Sequence, residues 1–101
     1  MKFAHSYRFS TRRSDDDPYA ENWTRNIYKH AGYTVFIDRR HKPFRLAELF
    51  VVLNGQLWFI GEWRNSHACV WYDIEQAATT ALDVRLKQWR EWKKFTERTD
   101  Q

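Results

Sequence analysis

The sequence predicts an α+β fold: an antiparallel sheet of three to five strands around a hairpin at residues 46–63, with two helices at about 18–31 and 74–97. Three observations carry this expectation. Asn54-Gly55 separates two apolar runs, Leu49-Phe50-Val51-Val52-Leu53 and Leu57-Trp58-Phe59-Ile60. Apolar residues recur at helical spacing in two stretches, one before the hairpin and one after it. Between them lie short segments rich in β-branched and aromatic residues, which favour strands.

Lys2 to Ser10 alternates, with Phe3, His5, Tyr7 and Phe9 on one side and Lys2, Ala4, Ser6 and Arg8 on the other. It reads as a short edge strand whose outward basic residues discourage mispairing. Ser10 to Asp17 is a polar loop, and Asp17-Pro18 is a favoured N-cap and first-turn pair. A helix is expected from there, with Tyr19, Trp23 and Ile27 along its buried stripe and Gly32 as its C-terminal stop. Tyr33 to Asp38 reads as a strand, and Arg39 to Arg45 as a basic loop.

The hairpin follows. A type I′ turn needs positive φ at both central residues, and Asn-Gly meets that need. A two-residue loop pairs Val52 with Leu57, Val51 with Trp58, Phe50 with Phe59 and Leu49 with Ile60. One face then carries Leu49, Val51, Leu53, Trp58 and Ile60; the other carries Leu46, Phe50, Val52, Leu57, Phe59 and Trp63. Both are apolar, whereas a sheet with one wet side alternates apolar and polar. The second face therefore needs a cover, either the chain itself or a partner. A further strand is expected at Ala68 to Tyr72. Asp73 then caps the last helix, with a stripe through Ile74, Ala77, Ala78, Ala81, Leu82, Trp89, Trp92 and Phe95.

Some of these residues resemble the pattern of double-stranded-RNA-binding domains. His41-Lys42-Pro43-Phe44 is similar to the His and Phe before their second strand, and Asn54-Gly55 falls at their hairpin. Glu75-Gln76-Ala77-Ala78 resembles a run in their second helix. The resemblance spans residues 19–82 and implies an αβββα order and contact with duplex RNA. The family's phosphate-gripping lysines are replaced by Val70-Trp71-Tyr72-Asp73, which removes the implied grip.

At 101 residues the chain is expected to form a single domain, residues 1–101. One cysteine, Cys69, leaves no internal disulfide and suits a reducing compartment. With no apolar leader at the N-terminus and no spanning run, the expected location is the cytoplasm. The +4 charge permits acidic partners without requiring them. No nucleophile–base pair, metal set or phosphate-cradling glycine loop stands out, so no catalytic residue, metal or cofactor is assigned. Six tryptophans in so short a chain are the sharper signal, since interfaces enrich Trp, Tyr and Arg.

These features together lead to a small non-enzymatic protein-binding chain. Size, single domain and aromatic excess are similar to the accessory proteins of phages and mobile elements that block a host nucleic-acid machine, such as anti-CRISPR or anti-restriction inhibitors. The candidate partner-binding residues are Phe50, Leu57, Phe59, Trp63, Trp89 and Trp92, and the partner is either heterologous or a second copy in a dimer. Arg39, Arg40, Lys42, Arg45, Lys87, Arg90 and Lys94 are candidate contacts to nucleic acid or to an acidic partner. A nucleic-acid-binding module is the alternative. A small ribonuclease toxin using Arg39, His41 and Arg64 comes after it.

Overall fold

The computed structural model describes residues 1–9, 23–40, 45–64 and 71–99, with side chains described at 1–9, 23–40, 45–64 and 74–93. Five strands form one antiparallel sheet: β1 (Lys2–Phe9), β2 (Trp23–His30), β3 (Tyr33–Arg40), β4 (Leu46–Leu53) and β5 (Gln56–Arg64). They lie side by side in chain order, which leaves β1 and β5 as the edges. A single long helix, α1 (Trp71–Thr99), is the one helix among the described residues.

This corrects the expectation of two helices. Trp23–His30, placed in the first helix, is a strand, and residues 18–22, including the expected Pro18 start, lie outside the described residues. The physical reason is visible at Ala31-Gly32, whose φ values of 50° and 84° are both positive. That is the requirement of a tight type I′ hairpin, so Gly32 turns a hairpin where a helix stop was expected. Pairing β2 with β3 sets Tyr28 opposite Val35 and Asn26 opposite Ile37, and buries all four residues. A helix packed along Tyr19, Trp23 and Ile27 would have turned Tyr28 out of that face. Among the described residues the order is five strands followed by one helix.

The helix also begins earlier than expected. Trp71 and Tyr72, assigned to a further strand, open α1, while residues 68–70 lie outside the described residues. Asp73 falls inside the first turn, where an acid still suits the helix dipole.

The core lies between α1 and one face of the sheet. Ile74, Ala78, Leu82 and Leu86 form an i+4 row along the helix, all buried. They meet Tyr28, Val35, Ile37, Ala47, Leu49 and Val51 from the three central strands. Alanine at position 78 lets the helix approach closely, and each buried Leu, Ile or Val contributes about 1.5–3 kcal/mol. Leu86 belongs to this row although the expected stripe ran through Trp89, Trp92 and Phe95 instead.

The β4–β5 hairpin forms as its turn chemistry demands, with φ of 52° at Asn54 and 76° at Gly55. Val52 faces Leu57, Val51 faces Trp58 and Phe50 faces Phe59, as the two-residue loop requires. Beyond that point a bulge shifts the register: Leu49 faces Gly61, leaving Ile60 as the extra residue. The shift carries Trp63 opposite Ala47, and so onto the helix side with the core, which corrects its expected placement beside Phe50.

Candidate functional site

Because α1 covers one face only, the other face can be read strand by strand from the pairing. His5, Ile27, Phe36, Phe50 and Phe59 form one row across all five strands. Beside it runs a polar row of Tyr7, Arg25, Asp38, Glu48 and Glu62. The centre of this polar row is closed to water. Asp38 is 0% exposed and accepts two hydrogen bonds from Arg25, Nε and Nη2 each at 2.8 Å. The Arg25 guanidinium also lies 4.8 Å from the Phe9 ring centre and 4.5 Å from that of Phe36. Hydrogen bonding to Asp38 pushes the Arg25 pKa further up. Glu48 is buried, whereas Glu62 is exposed and pairs with Arg64 at 3.2 Å.

The face opens towards the β4–β5 turn. Phe50 and Val52 are half-buried there, while Leu57 is 45% and Phe59 52% exposed on the edge strand. The Phe50 and Phe59 rings meet edge to face at 5.7 Å. These three candidates, Phe50, Leu57 and Phe59, thus share one apolar patch.

The other three candidates lie across the sheet. Trp63 packs against the core, and Trp89 and Trp92 sit where α1 runs past the sheet. A cleft of about 410 Å³ opens between the helix and the turn ends of two hairpins. Tyr33, Leu53 and Trp58 line it from the sheet, and Leu86, Trp89 and Trp92 from the helix. Trp58 and Trp89 pack edge to face at 6.4 Å with their planes 69° apart. The charged residues of the lining among the described ones, Arg90 and Lys93, are both cationic. Known protein families, curated proteins and solved structures yield no match to the chain.

Trp58 and Lys93 were not among the sequence candidates for this site. Trp58 was legible as a hairpin residue, but its opening into the cleft depends on where α1 ends its packing. Lys93 stands next to the expected Lys94, one position round the helix, and the side chain of Lys94 lies outside the described residues.

The basic candidates divide in the same way. Arg90 reaches the cleft, and its Nε donates to the Leu86 carbonyl at 3.4 Å, which lays the side chain back along the helix. Lys87 and Arg45 are exposed and not part of either surface, while Lys42 lies outside the described residues. Arg39 and Arg40, expected in a solvated loop, are the last residues of β3 and are buried. The Arg40 guanidinium lies 5.4 Å from the Trp23 ring centre. Of the three residues proposed for ribonuclease chemistry, Arg39 is buried, Arg64 is tied to Glu62, and His41 is outside the described residues.

Further polar contacts join helix and sheet, one of them between His30 Nε2 and Asp83 Oδ1 at 2.6 Å. The Tyr28 hydroxyl donates to the Glu75 carboxylate at 2.9 Å. Burial and this acceptor push the Tyr28 pKa well above its ordinary value. Among the described residues no group of three or more His, Cys, Asp or Glu is placed to hold a metal ion, and no helix is long and apolar enough to cross a membrane.

Proposed function

We propose that this chain is a non-catalytic binding protein that engages a protein partner through the helix-free face at the β4–β5 turn. The observation that carries this reading is one-sided cover: α1 packs on the aliphatic side of the hairpin, and Leu57 and Phe59 stand about half-exposed on the opposite side. With Phe36, Phe50 and Val52 beside them, they present on the order of 300 Å² of apolar surface, near the size of the largest patch on an ordinary monomer. Burying it would contribute about 7 kcal/mol before association costs. A standard interface takes roughly 800 Å² per partner, so this patch is the anchor of an interface with polar surroundings.

The neighbouring row supports a protein over a nucleic acid as the occupant. The cations beside the patch, Arg25 and Arg64, are each held by a carboxylate, Asp38 and Glu62, which leaves them poor contacts for a phosphate. A cytoplasmic chain of this size that works by occupying a partner's surface fits a steric inhibitor of a host nucleic-acid machine, the anti-CRISPR or anti-restriction type.

The test is affinity capture from the native host, with and without nuclease, using wild type and Phe59→Asp. Phe59 is exposed enough for the variant to fold, with a stability loss of about 1 kcal/mol or less. Capture of a defined protein that survives nuclease and disappears with Phe59→Asp is the expected result. Unchanged capture by a folded Phe59→Asp variant removes this face from the interface. Capture that depends on nucleic acid, or RNA cleavage by the pure protein, overturns the proposed class.

A further inference from the structure

The helix-side cleft is a separate surface from the patch, and its chemistry is different. We propose that it binds an acidic peptide segment of a partner, seating one large apolar side chain against the Trp58–Trp89 pair with the segment's carboxylates on Arg90 and Lys93. This rests on the reading of the chain as a protein-binding protein and names the partner chemistry at a second site.

The size argues for a side chain. At about 410 Å³ the cleft lies towards the lower end of ordinary ligand pockets, roughly 300–1,000 Å³, so it takes an anchor residue and its neighbours. Its walls come from elements held by the core: Leu86 is buried in the helix row and Trp89 packs against the same cluster. A preformed pocket with rigid aromatic walls spends little entropy on ordering, which is the setting in which single anchors carry most of a binding energy.

Charge selects the occupant. Among the described residues two cations and no carboxylate line the cleft, and Trp92 beside them is 67% exposed. A second copy of this chain is disfavoured, because a two-fold contact through this surface would set Arg90 and Lys93 against their own copies. A nucleic acid is disfavoured on geometry. Bases need flat, parallel ring faces to stack on, whereas Trp58 and Trp89 stand 69° apart, each blocking the other. An acidic segment with an apolar anchor satisfies both the walls and the rim.

The experiment uses the full chain, immobilised, against a random-sequence peptide display library, followed by titration of the selected synthetic peptides. The expected selection is a large apolar residue flanked by Asp or Glu. Binding should weaken at least tenfold with Arg90→Glu/Lys93→Glu and with Trp92→Ala, all three sites being exposed and outside the core. Phe59→Asp should leave it unchanged, and the indole N–H signals of Trp58 and Trp89 should shift on titration. Failure to select any peptide above background, selection of neutral or basic sequences, or equal retention by the charge-reversed variant overturns the proposal. Displacement of the peptides by a twelve-residue oligothymidine at equal or lower concentration assigns the cleft to nucleic acid. A wild-type dimer that Arg90→Glu/Lys93→Glu dissociates assigns it to a second copy. The two proposals fail separately: loss of host-protein capture with Phe59→Asp but no peptide selection leaves the patch standing alone, and the reverse pattern leaves the cleft.

Discussion

Arg25 and Asp38 offer a quantitative check on how the helix-free face is held together. Asp38 is 0% exposed and its carboxylate takes two 2.8 Å hydrogen bonds from one guanidinium. The Arg25 side chain is 19% exposed, so solvent screens its side of the pair in part. Arg25→Met keeps most of the stem but strands a buried carboxylate, a change that costs about 3–5 kcal/mol in fully buried pairs. Partial exposure of Arg25 places the expectation at the low end, about 3 kcal/mol. With a urea slope of about 1–1.5 kcal/mol/M for a chain this size, the midpoint should fall by roughly 2–3 M. Asp38→Asn alone should cost less, about 1–2 kcal/mol, because it leaves a neutral amide beside the guanidinium. The double variant, Arg25→Met with Asp38→Asn, should recover part of the loss and return a coupling energy of about 2 kcal/mol. Urea titrations followed by tryptophan fluorescence and by circular dichroism supply all four corners of the cycle. A coupling below about 0.5 kcal/mol, the range of solvated surface pairs, would refute the description of this row as a closed, charge-paired centre.

Two further outcomes follow from the sheet and its contact with α1. Tyr28→Phe removes the hydroxyl that donates to Glu75 and should cost about 1–2 kcal/mol at neutral pH. The Tyr28 pKa is raised in the folded state, so its contribution is complete below its ordinary value of 10.0 and is lost as pH rises above that towards the folded value. Wild-type stability should therefore fall by up to about 1.4 kcal/mol per pH unit above pH 10 relative to Tyr28→Phe, and parallel curves for the two proteins would contradict this. Ala31 holds a left-handed φ of 50°, a conformation that costs an L-residue about 1 kcal/mol and that Asn tolerates better. Ala31→Asn should raise the melting temperature by a few degrees, and a fall would count against the tight β2–β3 turn.

The two hairpins show why one was legible in the sequence and the other was not. Asn54-Gly55 names its own turn, since both residues tolerate positive φ and apolar runs flank them. Ala31-Gly32 makes the same kind of turn without the asparagine, and alanine before glycine reads equally well as the end of a helix. The i, i+4, i+8 spacing of Tyr19, Trp23 and Ile27 deepened the ambiguity, because even intervals fit a two-residue repeat as well as a helical one. The burial of Tyr28 and Asn26 decides for the strand, and it arises from pairing with β1 and β3 and, at Tyr28, from packing against α1. Arg39 and Arg40 were misread for a related reason. Their composition with His41 and Lys42 suggests a solvated loop, yet the strand continues through both arginines and covers their stems. At the site, register alone put Phe50, Leu57 and Phe59 on one face, but which face the helix leaves open was not legible. Nor was the cleft, because it depends on where a helix of 29 residues leaves a sheet whose strands run 8 or 9.

The bulge at Ile60 explains how one edge strand serves both surfaces. Without it, strict alternation would place Trp63 on the helix-free side and Glu62 against the core. The extra residue exchanges them: Trp63 fills the core beside Ala47, and Glu62 joins the carboxylate row next to the patch. On the turn side of the bulge, alternation is intact, so Leu57 and Phe59 point to the patch and Trp58, between them, points to the cleft. Three consecutive exposed apolar residues on an edge strand would ordinarily be an aggregation hazard, and a bulge is one of the devices that twist such an edge away from self-pairing. The strand is thus bent against its own copies while its side chains remain available on both sides. That combination keeps the sheet from growing while leaving both surfaces open to the partners proposed for them.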